Sequence, residues 1–191
     1  MDQFARTVIG YHGCTEDFAS RLLLGGVSIN DWTPSTNAWD WLGHGIYFWE
    51  HAPSRAARWA RELCGPNQKP AVIGAVIQLG NCFDLLDEAV TREFADGFRH
   101  VLRTCADQGV KIPVNRGIDW KRRERDCFVI NACLTLHEAR GVRYDTVRGA
   151  FTEGEPVYPG AGFSTEAHIQ IAVRDRRSIL GIFRPHLDEE D

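Results

Sequence analysis

The chain has no run approaching the roughly 18 apolar residues that a membrane helix needs, so no membrane span is expected in it. Its first residues, Met1-Asp2-Gln3-Phe4-Ala5-Arg6, carry neither a long apolar core nor a small-residue cleavage site, and they do not read as a signal peptide. Six cysteines are present (Cys14, Cys64, Cys82, Cys105, Cys127 and Cys133), but no two form a CxxC pair. Their scatter gives no basis for a zinc site or a disulfide framework, and reduced, mostly buried thiols in a cytoplasmic protein are the expectation. Positive charge is also short. The 22 Lys and Arg stand against 26 Asp and Glu, a net of −4 that argues against whole-surface attraction to nucleic acid. No GxGxxG follows a strand pattern, and neither HExxH nor a GxSxG elbow appears, so Rossmann, zinc-peptidase and serine-hydrolase chemistries lack their signatures. Cys14 lies two residues from His12, but that spacing alone leaves a Cys/His hydrolase weakly supported.

What is present suits one well-buried core. The 191 residues are 43% hydrophobic and 25% charged, with no internal repeat and no linker of disordered composition. Residues 6–11 read as a strand. Thr15 is a plausible N-cap, followed by a stripe of Phe18, Ala19, Leu22 and Leu23 that Gly25-Gly26 ends. Residues 30–43 form a Trp-rich, turn-rich loop, and 45–50 a strand. Pro53 suits the first turn of a helix that runs to about Leu63. The run PAVIGAVIQL at 70–79 reads as a central strand. Over 84–108, apolar residues at Leu86, Val90, Phe94, Phe98, Val101 and Cys105 predict a long amphipathic helix. A second helix, buried on most sides, is expected over 126–139. Residues 149–162 read as a Gly/Pro-rich loop, 167–173 and 178–183 as strands, and Arg176-Arg177 as a turn. Strands at both ends with helices between them indicate an α+β domain.

Two short motifs carry chemistry. Val8-Ile9-Gly10-Tyr11-His12-Gly13-Cys14 is a strand ending in His-Gly. Trp39-Asp40-Trp41-Leu42-Gly43-His44-Gly45-Ile46-Tyr47-Phe48 places a β-favouring aromatic run after paired glycines and before a helix. A ring held there sits at the rim of a cleft, where it can stack on a flat ligand. Together, the motifs resemble the NAD-binding half of the ADP-ribosyltransferase superfamily, in its poly(ADP-ribose)-polymerase-like (His-Tyr-Glu) branch. The likeness covers residues 8–63 and 165–183; the middle, 84–148, matches nothing identified.

The resemblance implies a split, mixed or antiparallel β-sheet of the ADP-ribosyltransferase-like type, one catalytic domain over 1–191, with a helical insert at about 84–140. It implies NAD as co-substrate and no metal. His12 would hold the adenosine-side ribose, the Gly13 backbone the carboxamide, and Tyr47 the nicotinamide ring. Trp59 lies nearest to the second ring of the sandwich, although Arg58 falls at the register where the polymerases place it. Glu166 would bind the ribose and stabilise the developing oxocarbenium ion. Period two sets Glu166, His168 and Gln170 on one face, and Gln170 is the rival for the third role. Ser35, Thr36, Asn37 and Asp40 would cover the adenosine end. Arg55 and Arg58 either reach the pyrophosphate or face solvent, with solvent expected for at least one. Tyr144, Asp145 and residues 148–162 occupy the place of the acceptor loop.

The expected function is transfer of one ADP-ribose from NAD to a macromolecule with release of nicotinamide, as in a bacterial toxin or defence effector with a neutralising antitoxin partner. NAD hydrolysis and a non-catalytic NAD or ADP-ribose binding module are the alternatives. The net acidity tilts the acceptor towards protein over RNA or DNA. The basic stretch at 111–125 (KIPVNRGIDWKRRER) could track a phosphate backbone with Trp120 as a stacking platform, but a solvated loop is the expected reading.

Overall fold

The computed structural model describes residues 6–117 and 121–187; Trp120 lies outside them. The elements are β1 (Thr7–Thr15), α1 (Glu16–Leu23), β2 (Ile46–Glu50), α2 (Pro53–Leu63), β3 (Pro70–Gln78), β4 (Cys82–Asp84), α3 (Glu88–Asp107), α4 (Glu124–Ala139), β5 (Thr146–Phe151), β6 (His168–Val173) and β7 (Ile179–Phe183). The protein is α+β: among the described residues seven strands form one mixed sheet in the order β4-β5-β6-β2-β1-β3-β7.

Local chemistry accounts for the helix ends. The Thr15 hydroxyl accepts from the Phe18 amide, and Glu16 and Asp17 lie in the first turn of α1, where the helix dipole favours negative charge. Pro53 opens α2 at a position whose amide would have no partner in the helix. The helix expected from residue 84 begins at Glu88 instead. Cys82–Asp84 is a strand, and Asp87 caps the helix by accepting from the Ala89 amide.

Alternation along the strands divides the core. Phe48, Ile73, Ile77, Ile171 and Val173 pack with Ala19 and Leu22 of α1 on one face. On the other, Trp49 and Val72 pack with Ala56 and Ala57 of α2, and Phe83, Val147 and Ala172 pack with Ile130 and Leu134 of α4. Helix α3 reaches the sheet through Phe83 and docks on α4 through Val101, Cys105, Val129 and Cys133.

Helices α3 and α4 lie between the first four strands and the last three and form the crossover from β4 to β5, a parallel pair that cannot be joined by a tight turn. Residues 149–151 are strand rather than loop, since β5 pairs along its whole length with β6. Tyr144, Asp145 and Arg148, expected beside an acceptor loop, are tied into the fold. Tyr144 packs on Phe83, the Asp145 carboxylate accepts from the Asn81 amide, and Arg148 is held by Glu50 at 2.6 and 2.8 Å and lies 3.3 Å from the Asp84 carboxylate. No helix among the described residues is long and apolar enough to cross a membrane.

Candidate functional site

The central seam of the sheet is short. Strand β1 pairs with β3 over nine positions but with β2 at only two, Gly10↔Glu50 and Tyr11↔Trp49. Beyond Tyr11 the two strands part, and a cleft of about 910 Å³ opens there. Its walls come from both faces of the sheet. His12 shares a face with Phe48 and the α1 side, while Tyr47, Trp49 and Gln170 project to the α2 and α4 side, yet all four residues other than Phe48 line the one cleft.

Where the ladder stops, the His12 side chain spans the gap. Its Nδ1 donates to the Tyr47 carbonyl at 2.8 Å, which leaves Nε2 as an acceptor in the neutral ring. Trp32 meets the imidazole edge-on at 4.9 Å. Tyr47 is anchored through its hydroxyl, which donates to the Gly43 carbonyl at 2.6 Å and accepts from the Leu42 amide at 2.8 Å. That turn depends on Gly43, whose φ of +74° is a left-handed conformation side chains rarely adopt. Burial pushes the Tyr47 phenol well above its ordinary range, so it stays protonated and keeps donating.

At Gly13 the place of a side chain is taken by helix α2. A Cβ at this position would meet the Ala56 carbonyl oxygen at 2.3 Å and the Ala60 amide nitrogen at 3.0 Å. The missing side chain admits helix α2 against β1; it does not clear the way for a ligand.

The seating of α2 brings Arg55, Arg58 and Trp59 to the cleft wall. Neither arginine is given over to solvent, which corrects the sequence expectation. Arg58 grips Glu166 with both terminal nitrogens, at 2.9 and 2.8 Å. Arg55 pairs with Glu153 and lies 3.7 Å from Glu166. Glu166 sits in the turn two residues before β6, which begins at His168, one residue later than expected. The hydrogen bond from Arg58 holds its carboxyl below the usual range and keeps it ionised. Trp59 lies at the cleft wall, 45% exposed, with its ring 6.0 Å from Trp49.

Gln170 is buried beside His168. His168 Nδ1 donates to the Glu166 carbonyl at 2.7 Å, so its Nε2 must accept, and the Gln170 amide nitrogen donates to it at 3.0 Å. The alternation expected for His168 and Gln170 is therefore present. Ser35 and Asn37 also line the cleft. Ser35 exchanges backbone hydrogen bonds with Gly45, and its hydroxyl donates to Asp40 and accepts from Asn37.

Glu153 escaped the sequence reading. Its side chain is only 6% exposed and lies in the cleft between Arg55, Lys121 and His168. The signal was faint, a lone carboxylate after a strand that had itself been read as loop. The described part of the basic stretch before α4 is an exposed connection between α3 and α4, as expected, and it also borders the cleft. Lys121 and Arg122 line the cleft, and the Lys121 carbonyl accepts from the Trp41 indole at 2.9 Å. Arg123 is structural, with its guanidinium 4.3 Å over the Trp41 ring.

Buried polar atoms with no partner concentrate at this cleft: Asp40 Oδ2, Trp49 Nε1, Arg55 Nε and Arg58 Nε all belong to lining residues. Buried polar groups are normally paired, and unpaired ones mark places where a ligand can supply the bond. Among the described residues, no three His, Cys, Asp or Glu side chains group in a way that would hold a metal. Comparison with known protein families, with curated proteins and with solved structures returns no match.

The buried rings predict a pH dependence. Desolvation pushes His12 and His168 below the ordinary histidine range, with carbonyl hydrogen bonds partly opposing it. The unfolded chain binds protons on these rings from about pH 6.5 downward, and the native chain binds fewer. Their contribution is therefore complete above that value and is lost as pH falls through it. The thermal midpoint should drop between about pH 7 and 5, before the carboxylates titrate. A midpoint that held steady or rose over that window would contradict buried neutral imidazoles.

Proposed function

We propose that this protein is an NAD-dependent mono-ADP-ribosyltransferase acting on a macromolecular acceptor. The observation that carries the reading is the His12–Tyr47 link across the parting strands, in a cleft whose other walls include Arg55 and Arg58, the buried Gln170 and the carboxylates Glu153 and Glu166. A cavity of this size is within the range that takes a dinucleotide-sized ligand.

In this reading Tyr47 stacks on the nicotinamide, with Trp59 on the same wall, and His12 Nε2 accepts from a ribose hydroxyl. Ser35 and Asn37 lie towards the adenosine end. The pyrophosphate competes with Glu166 and Glu153 for Arg55 and Arg58, since guanidinium pairs phosphate and carboxylate by the same two-point geometry. Released from its arginine, Glu166 carries a full charge towards the sugar. The C1′–N bond breaks, its electron pair leaves with neutral nicotinamide, and the oxocarbenium-like sugar is stabilised by that carboxylate. An acceptor nucleophile then bonds to C1′ and loses its proton.

The ion pairs favour one second reading. With Glu166 neutralised by Arg58, the cleft would bind NAD or ADP-ribose without cleaving it. Nicotinamide release from NAD separates the two readings, and label retained on an acceptor separates transfer from hydrolysis. Treating labelled lysate with RNase or protease then identifies the acceptor class. The net acid charge favours protein, while Lys121 and Arg122 at the wall give a nucleic-acid strand a path to the site. Transfer to a cellular macromolecule suits a cytoplasmic toxin or defence effector held in check by an antitoxin.

Tyr47→Ala is expected to weaken NAD binding by about 1 kcal/mol or more through lost stacking. Equal affinity in a folded Tyr47→Ala protein would remove the core of the proposal.

A further inference from the structure

A second cavity, of about 370 Å³, is lined largely by charge. The short turn Ile29–Asp31 borders both cavities, since Asn30 lines this one while Asp31 and Trp32 line the cleft. Four guanidiniums reach the second cavity, those of Arg143, Arg174, Arg176 and Arg177, against two carboxylates, Glu138 and Asp175. Arg177 already occupies Asp175 through three contacts, two of them at 3.0 Å. The other three cations have no carboxylate within ion-pair distance among the described residues. Arg176 donates to the Trp32 carbonyl at 2.9 Å. Arg174 donates to the His44 carbonyl at 3.2 Å and to Asn131 Oδ1 at 3.3 Å. The Arg143 side chain is exposed and makes neither a hydrogen bond nor an ion pair among the described residues.

Crowding guanidiniums together without matching carboxylates is costly, and most so for Arg174, which is partly withdrawn from water. A bound anion offsets that cost. Arginine forks match phosphate oxygens in two-point geometry better than they match a spherical ion.

We propose that this cavity is a phosphate-binding site, taking the phosphate group of a small phosphorylated molecule or of a polynucleotide backbone. It is independent of the NAD reading, because it shares no lining residue with the cleft. Arg174 also braces the turn that carries Gly43 and His44, so the test variants are made at Arg143 and Arg176.

Calorimetric titration with inorganic phosphate at low ionic strength, against chloride at matched ionic strength, should show saturable binding to the native chain. Arg143→Glu should weaken it about tenfold or more by replacing attraction with repulsion, and Arg176→Gln, which keeps a donor for the Trp32 carbonyl, by about fivefold. Circular dichroism confirms that each variant is folded. A short single-stranded oligonucleotide provides the second arm. If it displaces phosphate, is weakened by Arg143→Glu and shows a steep log K against log salt slope, the phosphate is a backbone one. If phosphate binds and the oligonucleotide does not compete, the ligand is a small phosphorylated molecule. The proposal is overturned if neither probe binds the native chain, or if both bind Arg143→Glu as tightly as the native protein.

Discussion

Glu166→Gln should lower nicotinamide release by about two orders of magnitude or more while leaving NAD affinity within a few-fold of the native value. The amide keeps the shape of the side chain and one acceptor for Arg58, so the wall of the cleft should stand. It loses the charge, and the charge is what the proposed chemistry uses. A role confined to ground-state binding would raise the NAD dissociation constant and spare turnover, and a role confined to the Arg58 ion pair would show mainly in the thermal midpoint. That last effect should be small, because the Glu166 side chain is 29% exposed and Arg58 is 36% exposed, and pairs so open to solvent contribute little. Unchanged turnover would move the third role to Gln170 or Glu153, or end the His-Tyr-Glu reading. Making Gln170→Ala and Glu153→Gln in parallel distinguishes those outcomes.

Gly13→Ala should cost the fold about 3 kcal/mol or more, at the upper end of what overpacking costs. The added methyl meets main-chain atoms of α2, which cannot rotate away as a side chain would. At about 2–4 °C per kcal/mol for a domain of this size, the thermal midpoint should fall by roughly 6–12 °C. NAD binding should weaken as well, because a shifted α2 carries Arg55, Arg58 and Trp59 with it. The two roles for this glycine are separable. If it only cleared space for a ligand, Gly13→Ala would keep the native midpoint and lose binding. A midpoint within a degree of native would show that α2 does not seat against β1 in this way.

Much of the fold was legible because its causes are local. Pro53 and Leu63 bound α2 as read, and Thr15 caps α1 through its own hydroxyl. The continuous apolar run at 70–79 is the strand β3, buried along most of its length between β1 and β7. The errors fall where a longer-range partner intervenes. Residues 146–151 contain Arg148 and Gly149 and show no clean alternation. They are strand because β4 and β6 flank them and because Glu50 and Asp84 neutralise the arginine inside the sheet. Residues 82–83 carry no pattern of their own and Asp84 reads as the start of the following helix; only the parallel pairing with β5 makes 82–84 strand.

The candidate site divides in the same way. His12, Tyr47, Ser35, Asn37, Trp59, Glu166 and Gln170 could be singled out by residue type and by their place beside glycines and strand ends, and all seven line one cleft. Glu153 could not be found, nor could the engagement of Arg55 and Arg58, because ion pairs between residues about 100 positions apart leave no trace in local spacing. By itself the sequence determined the helices, most strands and the two glycine-flanked motifs, since capping, periodicity and backbone freedom act within a few residues. Only the tertiary structure decided that β1 and β2 part after Tyr11, that the methyl-sized gap at Gly13 belongs to α2, and that the buried Glu153 and the half-buried Glu166 meet Arg55 and Arg58 in the opening. Those outcomes depend on strand register and helix seating, which are set by packing of the whole core.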